Sequence, residues 1–136
     1  MNKITLALII AKPGHLRNSL QSLLRTIPQI EILAESNDPS ILLKINDEIS
    51  PELILLEAAL LDETDWSAIK KIKAEWPDIK VLVLTDNDQQ GQAAREAGAD
   101  FYLLKGFPAT ELVQVIETSL IHGSDDEMTS NSRQID

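Results

Sequence analysis

Four short apolar runs of this 136-residue chain end in Ile10-Ala11-Lys12, Glu57, Thr85 and Lys105. A carboxylate, a hydroxyl and an ammonium brought to neighbouring strand ends are the parts of a pocket that handles phosphoryl groups. Phosphoryl transfer draws on positioning and charge stabilisation far more than on covalent chemistry by the protein. Such a pocket also needs a divalent cation, and Mg²⁺ requires near-octahedral oxygen ligation with one or two carboxylates. The first run ends in Ile10 and Ala11, which offer carbon where a cation needs oxygen. The polar half of the chemistry is present and the acidic half is missing.

The elements that must carry these residues alternate along the chain. Ile4 to Ile10 is a short apolar run rich in β-branched residues. Pro13 then opens a segment whose Leu16, Leu20, Leu23 and Leu24 have the spacing of an amphipathic helix. Ile30 to Ala34 reads as a second, more alternating strand, and Asp38-Pro39 as the cap and first turn of a short helix carrying Ile41, Leu42 and Ile45. Leu53 to Leu56 is a third strand, followed by a helix that Asp65 can cap and that holds Trp66, Ile69, Ile72 and Trp76. Val81 to Leu84 and Phe101 to Leu104 are the fourth and fifth strands. Pro108 opens a last helix with Leu112, Val115, Ile116 and Leu120 on one face.

Strands apolar on both faces belong to sheets covered by helices on both sides, which are usually parallel. Five strand–helix units therefore predict a flavodoxin-like, doubly wound α/β domain with a five-stranded parallel sheet in the order 2-1-3-4-5 and five helices. Ligands of such sheets bind beyond the carboxyl ends of the strands, where the strand order reverses. That places Ile10 and Ala11 opposite Glu57, with Thr85 and Lys105 facing them. Residues 1–122 are expected to form the domain and residues 123–136, polar and poor in apolar side chains, a flexible tail or linker stub. The fourth helical segment, between Asp88 and Gly98, offers only Ala93, Ala94 and Ala97 as apolar residues and contains Gly91. It is expected to be the least firmly docked helix, with the fastest amide exchange among them.

Composition narrows the function. With 12 basic and 22 acidic residues, net −10, the surface repels phosphate backbones, so no direct nucleic-acid binding is expected. The chain has no cysteine, which excludes disulfides and thiolate chemistry and fits a cytoplasmic protein. No apolar run approaches the ~18 residues that span a bilayer. Lys3 and the apolar run after it imitate the start of a signal peptide, but Lys12-Pro13 follows at once and the run reads as a buried strand.

From about Ile4 to Ile121 the chain resembles a response-regulator receiver domain of bacterial two-component signalling, above all the receivers that precede helix-turn-helix domains (the LuxR class). Three strings carry the resemblance: Val81-Leu82-Val83-Leu84-Thr85, the run from Pro51 to Glu57, and the run Ala97-Gly98-Ala99-Asp100-Phe101-Tyr102-Leu103-Leu104-Lys105. The resemblance implies that Glu57 stands at the phosphoacceptor position and Ile10 and Ala11 at the acidic, Mg²⁺-holding positions. It makes Thr85 the hydroxyl that follows the phosphoryl group, Tyr102 the switch aromatic and Lys105 the conserved lysine. The turn after the acceptor is also altered, to Leu61-Asp62.

With those departures, no metal, no cofactor and no enzymatic activity are expected. The function expected is that of an atypical receiver, independent of phosphorylation. It would act through protein partners, such as a sensor kinase or an output protein, and as a homodimer through the fourth helix, fifth strand and fifth helix. The alternative is a conventional phosphoaccepting receiver that regulates transcription through an output domain absent from this sequence. Glu57 itself has two readings. It forms a plain salt bridge with Lys105, or it imitates a phosphorylated acceptor with one negative charge where a phosphoryl group carries about 1.5 to 2. Thr85 also reads as an ordinary strand-end threonine, Tyr102 as a half-buried core aromatic, His15 as a solvated residue and His122 as a helix-end residue favoured by the dipole. Lys70, Lys71 and Lys73 read as one solvated basic face.

Overall fold

A computed structural model of the chain describes residues 4–121, so His122 and the segment 123–136 lie outside the described residues. The elements run β1 (Thr5–Ile10), α1 (His15–Arg25), β2 (Ile30–Ser36), a 3-10 helix η1 (Pro39–Lys44), β3 (Leu53–Glu57), a 3-10 turn η2 (Ala58–Leu60), α2 (Glu63–Glu75), β4 (Lys80–Thr85), α3 (Asp88–Glu96), β5 (Phe101–Leu104) and α4 (Ala109–Ile121). All strand pairs are parallel and the order is β2-β1-β3-β4-β5, as expected. The second helical connection is the one that departs from an α-helix. Asp38 caps it through the Ser40 N–H, but only Leu42 of its apolar residues is buried, too little to hold longer helical turns.

Alternation along the strands sorts the core into two layers. Leu8, Ile10, Ile54, Leu56, Val81 and Val83 face η1, α2 and α3, where Leu42, Ile69, Ile72 and Ala94 meet them. Ala7, Ile9, Ala11, Leu53, Leu55, Leu82 and Leu84 face α1 and α4, where Leu20, Leu24, Leu112, Val115 and Ile116 meet them. Each fully buried Leu or Ile contributes roughly 1.5–3 kcal/mol of transfer free energy. The strands β1, β3 and β4 belong to both layers, so they fix the positions of their own ends more firmly than any loop can.

At the far end of the sheet, a half-buried lysine ties three elements together. Lys73 Nζ of α2 donates to the carbonyls of Pro77 (3.0 Å) and Ile79 (2.7 Å) and to Asp100 Oδ2 (2.8 Å). Asp100 also accepts from the Val81 N–H at 2.8 Å. The reading of Lys70, Lys71 and Lys73 as one solvated face is therefore corrected: Lys70 and Lys71 are exposed, and Lys73 is a tie between α2, β4 and β5.

Candidate functional site at the carboxyl ends of the strands

Glu57 is the last residue of β3 and is only 4% exposed. A carboxylate so far from water requires partners. Its Oε2 accepts from Lys105 Nζ at 2.6 Å, and its Oε1 accepts from the Lys12 backbone N–H at 2.9 Å. Lys105, the first residue after β5, also reaches Asp86 Oδ1 at 3.0 Å, so its ammonium sits between two carboxylates. Burial opposes charge on Glu57, but the Lys105 hydrogen bond and the Lys12 N–H outweigh it and hold the carboxyl below its usual range. For Lys105, burial likewise favours the neutral amine, and Glu57 and Asp86 overcome it and push its pKa up. The pair is ionised and closed.

The loop after β1 is drawn onto this pair from the other side. Arg17, in the first turn of α1, donates to the Ala11 carbonyl through Nε (3.1 Å) and Nη2 (2.6 Å). Ala11 also donates its N–H to Ser36 at 2.9 Å. With Ala11 fixed, the next N–H, that of Lys12, is aimed at Glu57. Gly14, with φ +142°, turns the chain into α1 at a conformation that favours glycine. The helix thus begins at His15, which is exposed, rather than at Pro13.

Ile10 and Ala11 have no exposed surface, and their side chains belong to opposite layers of the core. Asp62 and Asp65 are engaged with each other in a reciprocal capping box: each carboxylate accepts the other's backbone N–H at 3.0 Å. Asp62 rather than Asp65 is therefore the N-cap of α2. Burial pushes the Asp65 carboxyl up against the Asp62 N–H it accepts, and the nearby Asp62 and Asp38 charges add to the rise. Among the described residues no three His, Cys, Asp or Glu side chains are placed to share a metal ion. With both Glu57 oxygens committed to nitrogen donors and the β1 end lined by carbon, the donor set does not fit Mg²⁺.

The remaining expected residues divide. Thr85 is fully buried at the end of β4, and its hydroxyl donates to the Leu103 carbonyl at 3.3 Å while its own carbonyl accepts the Lys105 N–H at 2.8 Å. Tyr102 is half-buried, and its ring lies against Gly91 of α3. Glu57, Lys105 and the β1 loop thus form one bonded cluster, whereas Thr85 and Tyr102 spend their contacts on β5 and α3. The sequence reading missed Asp86, Arg17 and the Lys12 N–H. Asp86 had a signal, being the acid directly after the fourth strand; a backbone donor has none.

A family model described as a response regulator receiver domain matches residues 7–117. The Bacillus subtilis protein named uncharacterized transcriptional regulatory protein YhcZ is 29% identical over 126 residues, which are 90% of this chain and 58% of that protein. Transcriptional regulatory protein LiaR of the same species is 32% identical over 82% of this chain and 54% of its own. This chain spans about half the length of these curated relatives. A two-component response regulator of the LuxR family from an Aurantimonas species superposes with a TM-score of 0.74 at 22% identity, over 88% of this chain and 87% of that one. A structure of two RcsB dimers bound to two parallel DNAs gives 0.71 at 19% identity, over 90% of this chain and 62% of that one. Such likenesses in shape establish the fold. The expected absence of nucleic acid is not borne out among the similar proteins: two of the curated relatives are named for transcriptional regulation, and one of the solved structures holds RcsB on DNA. The acidic surface bears on this domain alone and not on a longer protein.

Proposed function

This chain belongs to the response regulator receiver family, and from that premise we propose that it is the receiving part of a transcriptional regulator whose pocket works without phosphorylation. The curated relatives, named as transcriptional regulators and matched over only 58% and 54% of their length, support the first half. They favour an output domain of DNA-binding type acting from outside this sequence. One observation carries the second half. The acceptor-position carboxylate of Glu57 is already bonded to Lys105 and to the Lys12 N–H, the nearby Asp86 carboxylate is paired with the same ammonium, and among the described residues no three acidic, His or Cys side chains are placed to share a cation. A dianionic donor approaching Glu57 would have to displace Lys105 from a buried carboxylate without a metal to replace it. The domain signals by contact, with a sensor kinase, an output domain or a second copy as the partner, and works in the cytoplasm. Among the described residues no helix is long and apolar enough to cross a membrane.

The test is incubation with a small phosphodonor, or with beryllofluoride, in the presence of Mg²⁺. Unchanged intact mass and unchanged tryptophan fluorescence are expected. A covalent phosphoryl adduct on Glu57, or a saturable fluorescence change with beryllofluoride, would establish the conventional phosphoaccepting receiver instead. The triple substitution Ile10→Asp, Ala11→Asp and Glu57→Asp is expected to gain both Mg²⁺ binding and phosphorylation. Light scattering at tens of micromolar tests the second-copy partner and is expected to show a dimer.

A further inference from the structure

Strand β2 forms one edge of the sheet and pairs with β1 alone, so its outward N–H and C=O groups have no strand partner. Beside it, against the last turn of α1, lies a groove of about 390 Å³ lined by Leu24, Arg25, Ile30, Glu31, Ile32 and Glu35. Leu24 is buried, while Ile30 and Ile32 are half-buried and leave apolar surface to water. The groove also holds charges that the fold does not use. Arg25 and Glu31 are exposed, and among the described residues neither has an ion-pair partner. Glu35 accepts the Gln21 side-chain amide at Oε1 and makes no ion pair. The register of the edge is broken as well: Ala7 of β1 pairs with Ile32, and Leu8 with Ala34. Leu33 is therefore the extra residue of a bulge, and it is 40% exposed.

We infer that the groove beside β2 is a docking site for an extended segment of a partner protein that alternates basic with apolar side chains. An extended segment can complete the open edge with its backbone, and its alternate side chains then reach the groove. Apolar ones cover Leu24, Ile30 and Ile32, and basic ones meet Glu31 and Glu35. The bulge leaves only Ile30 to Ile32 as regular edge, so the side chains and not the ladder supply most of the hold. A second copy of β2 is the wrong occupant. Laid antiparallel about Leu33, it would set Glu31 of each copy against Glu35 of the other, and like charges opposite one another destabilise a pair. The net charge of −10 on each copy adds to that repulsion. Arg25 sets a further limit, because it repels an unbroken run of cations in the same groove. The site is separate from the Glu57–Lys105 pocket, so the outcome of the phosphodonor experiment has no bearing on it.

The test is amide NMR titration of the full chain at low salt with the peptide acetyl-Leu-Arg-Leu-Arg-Leu-amide. Saturable shifts are expected at the amides of Arg25 and of Ile30 to Leu33, with those of Glu57 and Lys105 unmoved. Glu31→Lys and Glu35→Lys together should weaken binding about tenfold, since two exposed charge pairs are lost and replaced by repulsion. The same double variant should instead take up acetyl-Leu-Glu-Leu-Glu-Leu-amide, with shifts at the same amides. Glu31→Gln alone, which keeps the size of the side chain, should weaken the basic peptide by a smaller factor. Shifts scattered over the acidic surface would overturn the site, and so would equal shifts with acetyl-tetralysine amide or an affinity unchanged in the double variant. Shifts at these amides that grow with protein concentration before any peptide is added would assign the edge to a second copy and overturn the proposal as well.

Discussion

Glu57 and Lys105 divide the work of holding four strand ends together, and the cost of separating them follows from where each sits. Removing the ammonium by Lys105→Met strands a carboxylate that is 5% exposed on its side chain, with only the Lys12 N–H left. Breaking a fully buried pair costs about 3–5 kcal/mol. Lys105 retains 28% of its side-chain exposure, so water reaches the site and the expected loss is about 2–3 kcal/mol. Adding Glu57→Gln to Lys105→Met should recover part of that loss, because the stranded charge is gone; urea unfolding of the three variants measures it. The same pair sets a pH window. Glu57 titrates below its ordinary 4.5 in the folded chain, so its contribution is present above that value and drains away as pH falls through the lowered one. Lys105 titrates above its ordinary 10.5, so its contribution is present below that value and is lost as pH rises through the raised one. Stability against urea should be flat between these limits and should decline at both ends. In the Glu57→Gln, Lys105→Met chain the acid decline should be shallower.

The elements show what sequence can and cannot reveal. The five strands are legible because Leu53 to Leu56 and Val81 to Leu84 are apolar at every position, and only a doubly covered sheet makes use of that pattern. The strand-end positions of Glu57, Thr85 and Lys105 follow from the strands alone. What stays hidden depends on contacts between distant residues. Gly91 reads as a flaw in a helix until the Tyr102 ring, eleven positions on, is seen against it. Lys73 reads as one of three surface lysines until Asp100 is seen beneath it. Pattern reading assigns a residue to a face and cannot tell which face position meets a carboxylate. Lys73 also supplies a prediction. Replacing it by Met removes three hydrogen bonds and leaves Asp100 with the Val81 N–H alone among these partners. A loss of about 2 kcal/mol is expected. Because the tie lies at the amino ends of β4 and β5, the Glu57–Lys105 pair should be untouched, and the pH profile of stability should keep its shape while shifting downward.

At the scale of the whole molecule, the two core layers share one sheet, and this decides how the domain comes apart. Both tryptophans, Trp66 and Trp76, pack on the layer with η1 and α2, and Trp76 donates to Asp47 at 2.8 Å. Fluorescence therefore reports that layer alone, whereas far-ultraviolet circular dichroism reports the helices of both. Leu112 of α4 lies in the opposite layer with no exposed surface. Leu112→Ala should cost about 2–5 kcal/mol through lost transfer free energy and the cavity it leaves. If the layers were independent, this change would move the dichroism curve and leave the fluorescence curve where it was. But Ile9 and Ala11 of β1 face α1 and α4, while Leu8 and Ile10 of the same strand face the tryptophan layer. Loss of α4 uncovers the strand that both layers need. The fluorescence and dichroism midpoints should therefore fall together and by the same amount in urea. A fluorescence midpoint that stays in place would mean that the sheet holds one layer of helices without the other, and that the pocket at its strand ends survives the loss of α4.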